Sequence, residues 1–426
     1  MLGRVGLTVN GAERTRVRDM ASEVSTTAVL GPAAAQRTAV MERTAVGERT
    51  AVGERTAVGE RPGAGERPAQ AGRYGTVVGP ADLAPPGLPA ARGTLTDFLR
   101  HRLAGPVQPL TGWPDADDDA LDGEDGALAL YCLYELHYRG FAGVDDRWEW
   151  EPSVLGLRAE LEEDLEARLR RLARGVAEQA AGADADADAV GVSPDDVPGA
   201  LWKIIEISTG PSLSAYLAER GSLAQFREFA VHRSLLQLKE ADPHSWAIPR
   251  LSGETKAALI EIQTDEYGNG RARDAHQNLF GVTLSALGLD PGYGRYLDRV
   301  PGTTLATVNL PSFLGLHRRL RGALVGHLAV CEMTSVEPMS GYAAALRRHG
   351  LHAGARHFFD VHVVADADHQ TVAAERLAGG LAGAEPGVAA DILFGAHAVM
   401  AVEGRCSDAI LSAWQAGRSS LRGTDA

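Results

Sequence analysis

From Thr94 onward, apolar residues recur three and four positions apart, the spacing of a single helical face. Thr94-Leu-Thr-Asp-Phe-Leu-Arg-His-Arg-Leu, Gly126–Tyr138 and Ser153–Ala177 all carry this period, the last with Glu and Arg on its polar side. Leu223–Leu238 repeats it at positions 223, 226, 229, 235, 236 and 238 and stops before Asp242-Pro243, because proline removes a backbone donor. Ser252 reads as the N-cap of a following helix, with Glu254 in the first turn where the helix dipole favours an anion. The same spacing predicts helices over Leu310–Glu332, Met339–Arg348, Gly354–Asp368, Gln370–Ala382 and Val388–Ala416. Alternation of period two bounded by turn dipeptides is nearly absent. The fold class expected is all-α.

The first 93 residues lack the helical period. Between Arg43 and Glu60 the unit GERTAV recurs every six residues, and GERP follows at Gly59 and Gly65. Ala and Val bring too little bulk for the stacked coils of a β-helix, and Gly and Pro flank the run, so disorder is expected over 1–93. Met20 and Met41 are alternative starts. A helical accessory region is expected over 94–180. Residues 181–198 (AGADADADAVGVSPDDVP) read as an acidic linker, and 199–424 as the main domain.

Composition narrows the functional classes. Lys and Arg number 42 against 56 Asp and Glu, a net charge of −14 over 426 residues, which disfavours nucleic acid and anionic membrane surfaces as partners. Three cysteines (Cys132, Cys331, Cys406) without a CxxC pattern give neither a disulfide scaffold nor a cysteine-based zinc site, and suit a reducing compartment. The apolar stretch Pro386–Val402 contains Asp391 and His397 and falls short of the roughly 20 residues a span needs, while the N-terminus has no signal-peptide core. A cytoplasmic protein is expected. GxxxxGK[ST], GxGxxG after a strand, HExxH, GxSxG and ExxH are all missing, which removes sequence support for P-loop, dinucleotide-binding, zincin, α/β-hydrolase and ferritin-like readings.

The chemistry that does stand out is His362-Val-Val-Ala-Asp366-Ala-Asp-His369. Offsets of four and seven put His362, Asp366 and His369 on one stripe of a helix. Two imidazoles and a carboxylate make a mixed nitrogen and oxygen donor set, suited to Fe, Mn or Zn and poorly suited to Ca or Mg. A solvated polar face is the competing reading, since Asp360 and Asp368 lie on the same helix. Elsewhere Glu240 closes an amphipathic helix in QLKEADPH, and Glu266 and His276 stand ten apart in DEYGNGRARDAH.

In order, spacing and context these six residues resemble the heme-oxygenase-like di-iron oxidase and oxygenase family, the iron-containing redox enzymes. The strings HRSLLQLKEADPHSWAIPRLSG, DEYGNG and FFDVHVVADADH carry the likeness, which spans about Trp202 to Ala416. The resemblance implies a bundle of about seven helices and two Fe(II) per chain, with Glu240, Glu266, His276, His362, Asp366 and His369 as ligands. It also implies use of O2 to oxidise a small molecule. N-oxygenation of an amino-acid-like or amine metabolite is favoured, with oxidative C–C cleavage or desaturation as other outcomes. The electron donor is unassigned, and a homodimer is left open. Two Fe(II) carry +4 against −3 from Glu240, Glu266 and Asp366, leaving a weakly cationic centre with affinity for an anionic oxygen species. Six side chains cannot fill two octahedral ions, so open positions remain for reactants.

That assignment carries a geometric demand. On a straight helix Glu266 and His276 would stand about 15 Å apart and about 80° out of phase. Gly268 and Gly270 between them predict a distorted segment that brings the two side chains together. His327 and Glu332, in GHLAVCEMTS, are expected on a flanking helix, either orienting a ligand, touching substrate or simply forming a buried pair. Arg347, with Arg348, is a candidate for holding a substrate carboxylate, although surface arginines are the commoner case. His244 and Trp246 read as packing residues, and Tyr267 and Tyr342 as near-site aromatics. Two further classes stay open: a cofactor-independent or heme-binding member of the same fold, and a non-catalytic interaction protein.

Overall fold

A computed structural model describes residues 84–181, 192–207 and 212–423, with backbone alone for 177–181. The hexapeptide repeat and most of the expected linker lie outside the described residues. Among the described residues the secondary structure is helical with no strand, in thirteen main helices. These are α1 Thr94–Leu103, α2 Glu124–Glu135, α3 Pro152–Ala181, α4 Val197–Ile207, α5 Leu213–Glu219, α6 Leu223–Gln237 and α7 Gly253–Glu266. They continue as α8 His276–Ala286, α9 Gly302–Leu316, α10 Arg321–Thr334, α11 Val336–Arg348, α12 Ala353–Thr371 and α13 Ala389–Gln415.

Residues 84–93 depart from the expected disorder. They run extended along the helices, with the Ala90 amide donating to Asp298 at 2.9 Å and the Ala142 amide donating to the Pro86 carbonyl at 2.8 Å. Arg92 anchors the run through Glu124 at 2.8 Å and the Leu297 carbonyl at 2.6 Å. An alanine- and proline-rich strap needs little apolar bulk of its own when its backbone and one arginine find partners.

Two helix boundaries also differ from expectation. Leu310–Glu332 is not one helix: the chain leaves α9 at His317, which is extended, and re-enters as α10. Tertiary partners favour that break, because Arg250 donates to the Gly315 and Leu316 carbonyls while His317 pairs with Glu162 at 2.9 Å. Conversely, the helices expected as Gly354–Asp368 and Gln370–Ala382 form one run. α12 passes directly into π-helical turns over Val372–Gly379 and then Gly380–Ala384. Asp368 is exposed, so its polarity marks a helix face and not a helix end.

The core is shared across the boundary drawn from sequence, and the described residues belong to one compact unit. One cluster joins Leu130, Tyr134 and Leu165 to Phe313, Leu324 and Ile392. A second joins Leu99, Leu133 and Trp148 to Leu235 and Leu305. A third, of Phe226, Phe280, Leu346, Phe358 and Trp414, packs α5, α6, α8, α11, α12 and α13 together. α10 and α13 cross very closely, because a Cβ at Gly326 or Gly395 would overlap the carbonyl oxygen of Ile392 or Ala323. The helix over Pro386–Gln415 is long and apolar enough to cross a membrane, with mean hydropathy 1.3 over its most apolar window, and half of that window is buried against the other helices. The helix matches the expected Val388–Ala416, and the apolar stretch Pro386–Val402 is its first part.

Candidate metal centre

Each candidate side chain is delivered by a different local device. α6 ends at Gln237 and turns into the short helix Asp242–Ser245, which leaves Glu240 at the corner with 23% of its side chain accessible. The preceding residue anchors that corner. Lys239 is buried and pairs with Glu135 of α2 at 3.0 Å, and Tyr293 donates to both Glu135 oxygens at 2.8 and 2.9 Å. α7 ends at Glu266. Gly268, Asn269 and Gly270 then adopt left-handed φ values of 64°, 53° and 75°, a conformation open to glycine and tolerated by asparagine. The chain re-enters a helix at His276, whose Nδ1 lies 3.0 Å from Glu266 Oε2. The expected distortion is therefore a complete break, and it closes the distance between Glu266 and His276.

α12 supplies three groups from one stripe. His362, Asp366 and His369 are 4%, 1% and 4% exposed, which sets aside the solvated-face reading of these positions. His362 Nδ1 donates to the Phe358 carbonyl at 2.7 Å, leaving Nε2 directed at Glu240, 3.7 Å away. The His276 and His362 rings lie 4.2 Å apart. His369 turns Nε2 to Asp265 at 3.1 Å and presents Nδ1 to Glu332 at 3.3 Å and Asp366 at 3.4 Å. Ser335 donates to the other oxygen of Asp366 at 2.5 Å.

Two donor groups result. Glu240, Glu266, His276 and His362 form one, and Glu332, Asp366 and His369 the other, with the donor atoms in each group within 4.8 Å of one another. The fit to a metal can be read from what these atoms lack. Glu240 Oε2, Glu266 Oε2, His276 Nδ1, Glu332 Oε2, Asp366 Oδ1 and His369 Nδ1 are buried and make no well-aligned hydrogen bond, meeting only other members of the two groups at 3.0 to 3.7 Å. Unpartnered buried acceptors are costly, and convergent ones are satisfied by a cation.

The electrostatics agree. Burial opposes the charged form of His362, yet Glu240, Glu266 and Asp366 outweigh it and raise its pKa to about 10. Burial likewise opposes His369⁺, and Asp366, Glu332 and Asp265 raise it to about 11. Glu332 moves up to about 8 because burial and the charges of Glu266 and Asp366 outweigh the contact with His369. The cluster holds protons where a metal would hold charge.

All six sequence candidates fall in these groups. Glu332, placed among lesser candidates, stands with them as a seventh donor. The signal for it was a lone carboxylate on α10, which is buried without interruption from Gly322 to Val330. Asp265, which supports His369, carried no such mark. His327 lies off the donor groups, pairing with His244 at 3.1 Å; burial lowers both pKa values, so the pair is neutral. Arg347 is exposed at the last turn of α11, outside the buried site, and Arg348 caps the carbonyls of Leu217, Ala218 and Gly221.

No curated protein matches the chain. Residues 227–404, a span holding all seven donors, match the family described as iron-containing redox enzyme. That match, over rather less than half of the chain, agrees with the all-helical, heme-oxygenase-like fold and supports an oxidoreductase role.

Proposed function

We propose that the two donor groups hold two Fe(II) ions and that the protein is an O2-dependent di-iron oxygenase or oxidase acting on a small amine or amino-acid-like metabolite. The observation that supports this reading is the convergence of six buried donor atoms, with no hydrogen-bond partner outside their own cluster, into two groups. Mixed carboxylate and imidazole donors suit iron, and the count leaves coordination positions for reactants. Glu240, Glu266, Glu332 and Asp366 bring −4, so the loaded centre is neutral before reactants bind, one charge lower than six ligands would make it.

Two ferrous ions supply the electrons that dioxygen activation requires. The chain's own residues do the rest. Phe358 and Asp265 fix the tautomers of His362 and His369, so that His362 Nε2 and His369 Nδ1 face the centre. Ser335 holds Asp366 by one oxygen and leaves the other toward His369 Nδ1, 3.4 Å away. Phe358 lies 4.4 Å from the His362 ring, and Phe280 lies 5.0 Å from Phe358, so an aromatic wall excludes water on that side. Among possible outcomes N-oxygenation is favoured over oxidative C–C cleavage or desaturation.

The test is iron stoichiometry after anaerobic Fe(II) loading and desalting of the full chain. About two irons per chain, lost on His362→Ala, support the reading. Product mass under isotopically labelled dioxygen then separates N-oxygenation from cleavage or desaturation. A chain that retains no iron returns the protein to the cofactor-independent, heme-binding or interaction classes.

A further inference from the structure

The bundle interior holds an ion pair that serves neither donor group. Arg233 on α6 gives Nη1 to both oxygens of Glu403 on α13, at 3.0 and 2.9 Å. From Phe229 to Lys239 every residue of this segment is buried except Arg233 and Leu236, and Glu240 follows with accessible surface. An offset of three places Arg233 and Leu236 on one stripe of α6, and Glu240 follows in the turn beyond its end. On α13, Glu403 lies about 200° around the helix from exposed Arg405 and so points inward. Yet Arg233 and Glu403 keep 24% and 35% of their side-chain surface. The pair therefore offers accessible charged surface where α6 and α13 meet.

Two further residues lie near this pair. Cys331, the first accessible residue after the buried run of α10, lies within electrostatic range of Arg233, Glu403, Glu240 and Glu332. The ion pair and the metal-binding carboxylates therefore surround one thiol. Tyr342 of α11 stacks on Phe229 at 4.3 Å and faces Arg233, Glu403 and Cys406. Its hydroxyl makes no hydrogen bond among the described residues.

We propose that Arg233, Glu403 and Tyr342 form the head-group site for a zwitterionic α-amino acid whose side chain extends along α6 toward Glu240. This deepens the di-iron reading and rests on it for the chemistry at the far end. A guanidinium has five N–H donors and this one commits only Nη1 to Glu403, so the others are left for a carboxylate. Glu403 has lone pairs left for an ammonium, and the Tyr342 hydroxyl completes the set. A fatty acid would set its carboxylate beside Glu403 with no cation to offset it. A simple amine would set its cation beside Arg233. Only a molecule with both charges complements the pair. The ligand's side chain would run from Arg233 past the end of α6 at Gln237 to the turn that carries Glu240.

The experiment is calorimetric titration of the full chain, metal-free and anaerobically Fe(II)-loaded, with the proteinogenic L-amino acids and with L-norleucine, hexanoate and pentylamine. The expected result is binding of at least one long-chain amino acid, with hexanoate and pentylamine at least about 10-fold weaker than norleucine. Glu403→Gln should weaken binding about 10- to 100-fold, in line with loss of a charge-assisted hydrogen bond. Tyr342→Phe keeps the aromatic stack and should cost about 5-fold, so it decides the matter if Glu403→Gln does not fold. Hexanoate binding as tightly as norleucine, unchanged affinity in both variants, or no amino acid bound at millimolar concentration overturns the proposal. Titration of the metal-free chain tests the head-group site alone and iron stoichiometry tests the di-iron reading, so either can fail without the other.

Discussion

Glu332 offers a test in which stability and metal binding must move in opposite directions. Its carboxyl is 7% exposed, with Oε2 3.3 Å from His369 Nδ1. Burial and the charges of Glu266 and Asp366 raise its pKa from 4.5 to about 8. The folded state thus binds a proton that the unfolded chain releases. The cost of Glu332 is absent below pH 4.5, grows as pH rises through the interval to 8, and levels off above it. At pH 7 it amounts to about 3 kcal/mol, at about 1.4 kcal/mol per pH unit. Glu332→Gln removes that cost, keeps the shape and gives up roughly 1 kcal/mol of the contact with His369. The metal-free variant should therefore be about 2 kcal/mol more stable than the parent at pH 7, with the gain vanishing at pH 4. The same change leaves Asp366 and His369 as the only charged or imidazole donors of their group, so anaerobic Fe(II) loading should fall from about two ions per chain toward one. Thermal unfolding of the metal-free protein followed by circular dichroism, together with iron analysis, reads both quantities. A variant no more stable than the parent that still loads a full complement would refute the reasoning from burial through to ligation.

Other consequences follow from the same geometry. His362 and His369 carry protons in the metal-free state, so their stabilising effect is complete below about pH 6.5 and is lost as pH rises through about 10 and 11. Metal binding must displace those protons, and titration of Mn(II) into the metal-free protein in buffers of different ionisation enthalpy should show net proton release and tighter binding as pH rises from 6 to 8. Asp265→Ala removes the partner of His369 Nε2 and should weaken metal affinity about 10- to 100-fold with little change in fold, read by competition with a chelator. Glu135→Ala leaves Lys239 charged and unpaired in the interior, a loss of about 3 to 5 kcal/mol in denaturant unfolding, whereas the double change Glu135→Leu with Lys239→Met should lose much less. Gly268→Ala, at φ 64° against the backbone of Asp274 and Ala275, should cost at least about 1 to 2 kcal/mol and pull Glu266 away from His276, seen as reduced iron retention.

Residue spacing alone showed the all-α class, most helix positions and the six candidate donors that the fold brings together. Periodicity is a local property, and a helical stripe such as His362, Asp366 and His369 needs only four- and three-residue offsets to be visible. Even the break after Glu266 was legible, because only glycine-rich turns let ten residues double back. Tertiary structure decided the rest. The ends of α9 and α10 depend on Arg250 and Glu162, residues with no local mark as caps. Glu332 became a donor only when the close crossing at Gly326 and Gly395 set α10 against α13 and the second donor group formed around His369. Glu135 anchors the corner before Glu240 from more than a hundred residues away. The pairing of Arg233 with Glu403 could not be read from sequence, because an inward-facing charge and a surface charge have the same letter until the helices around them are packed.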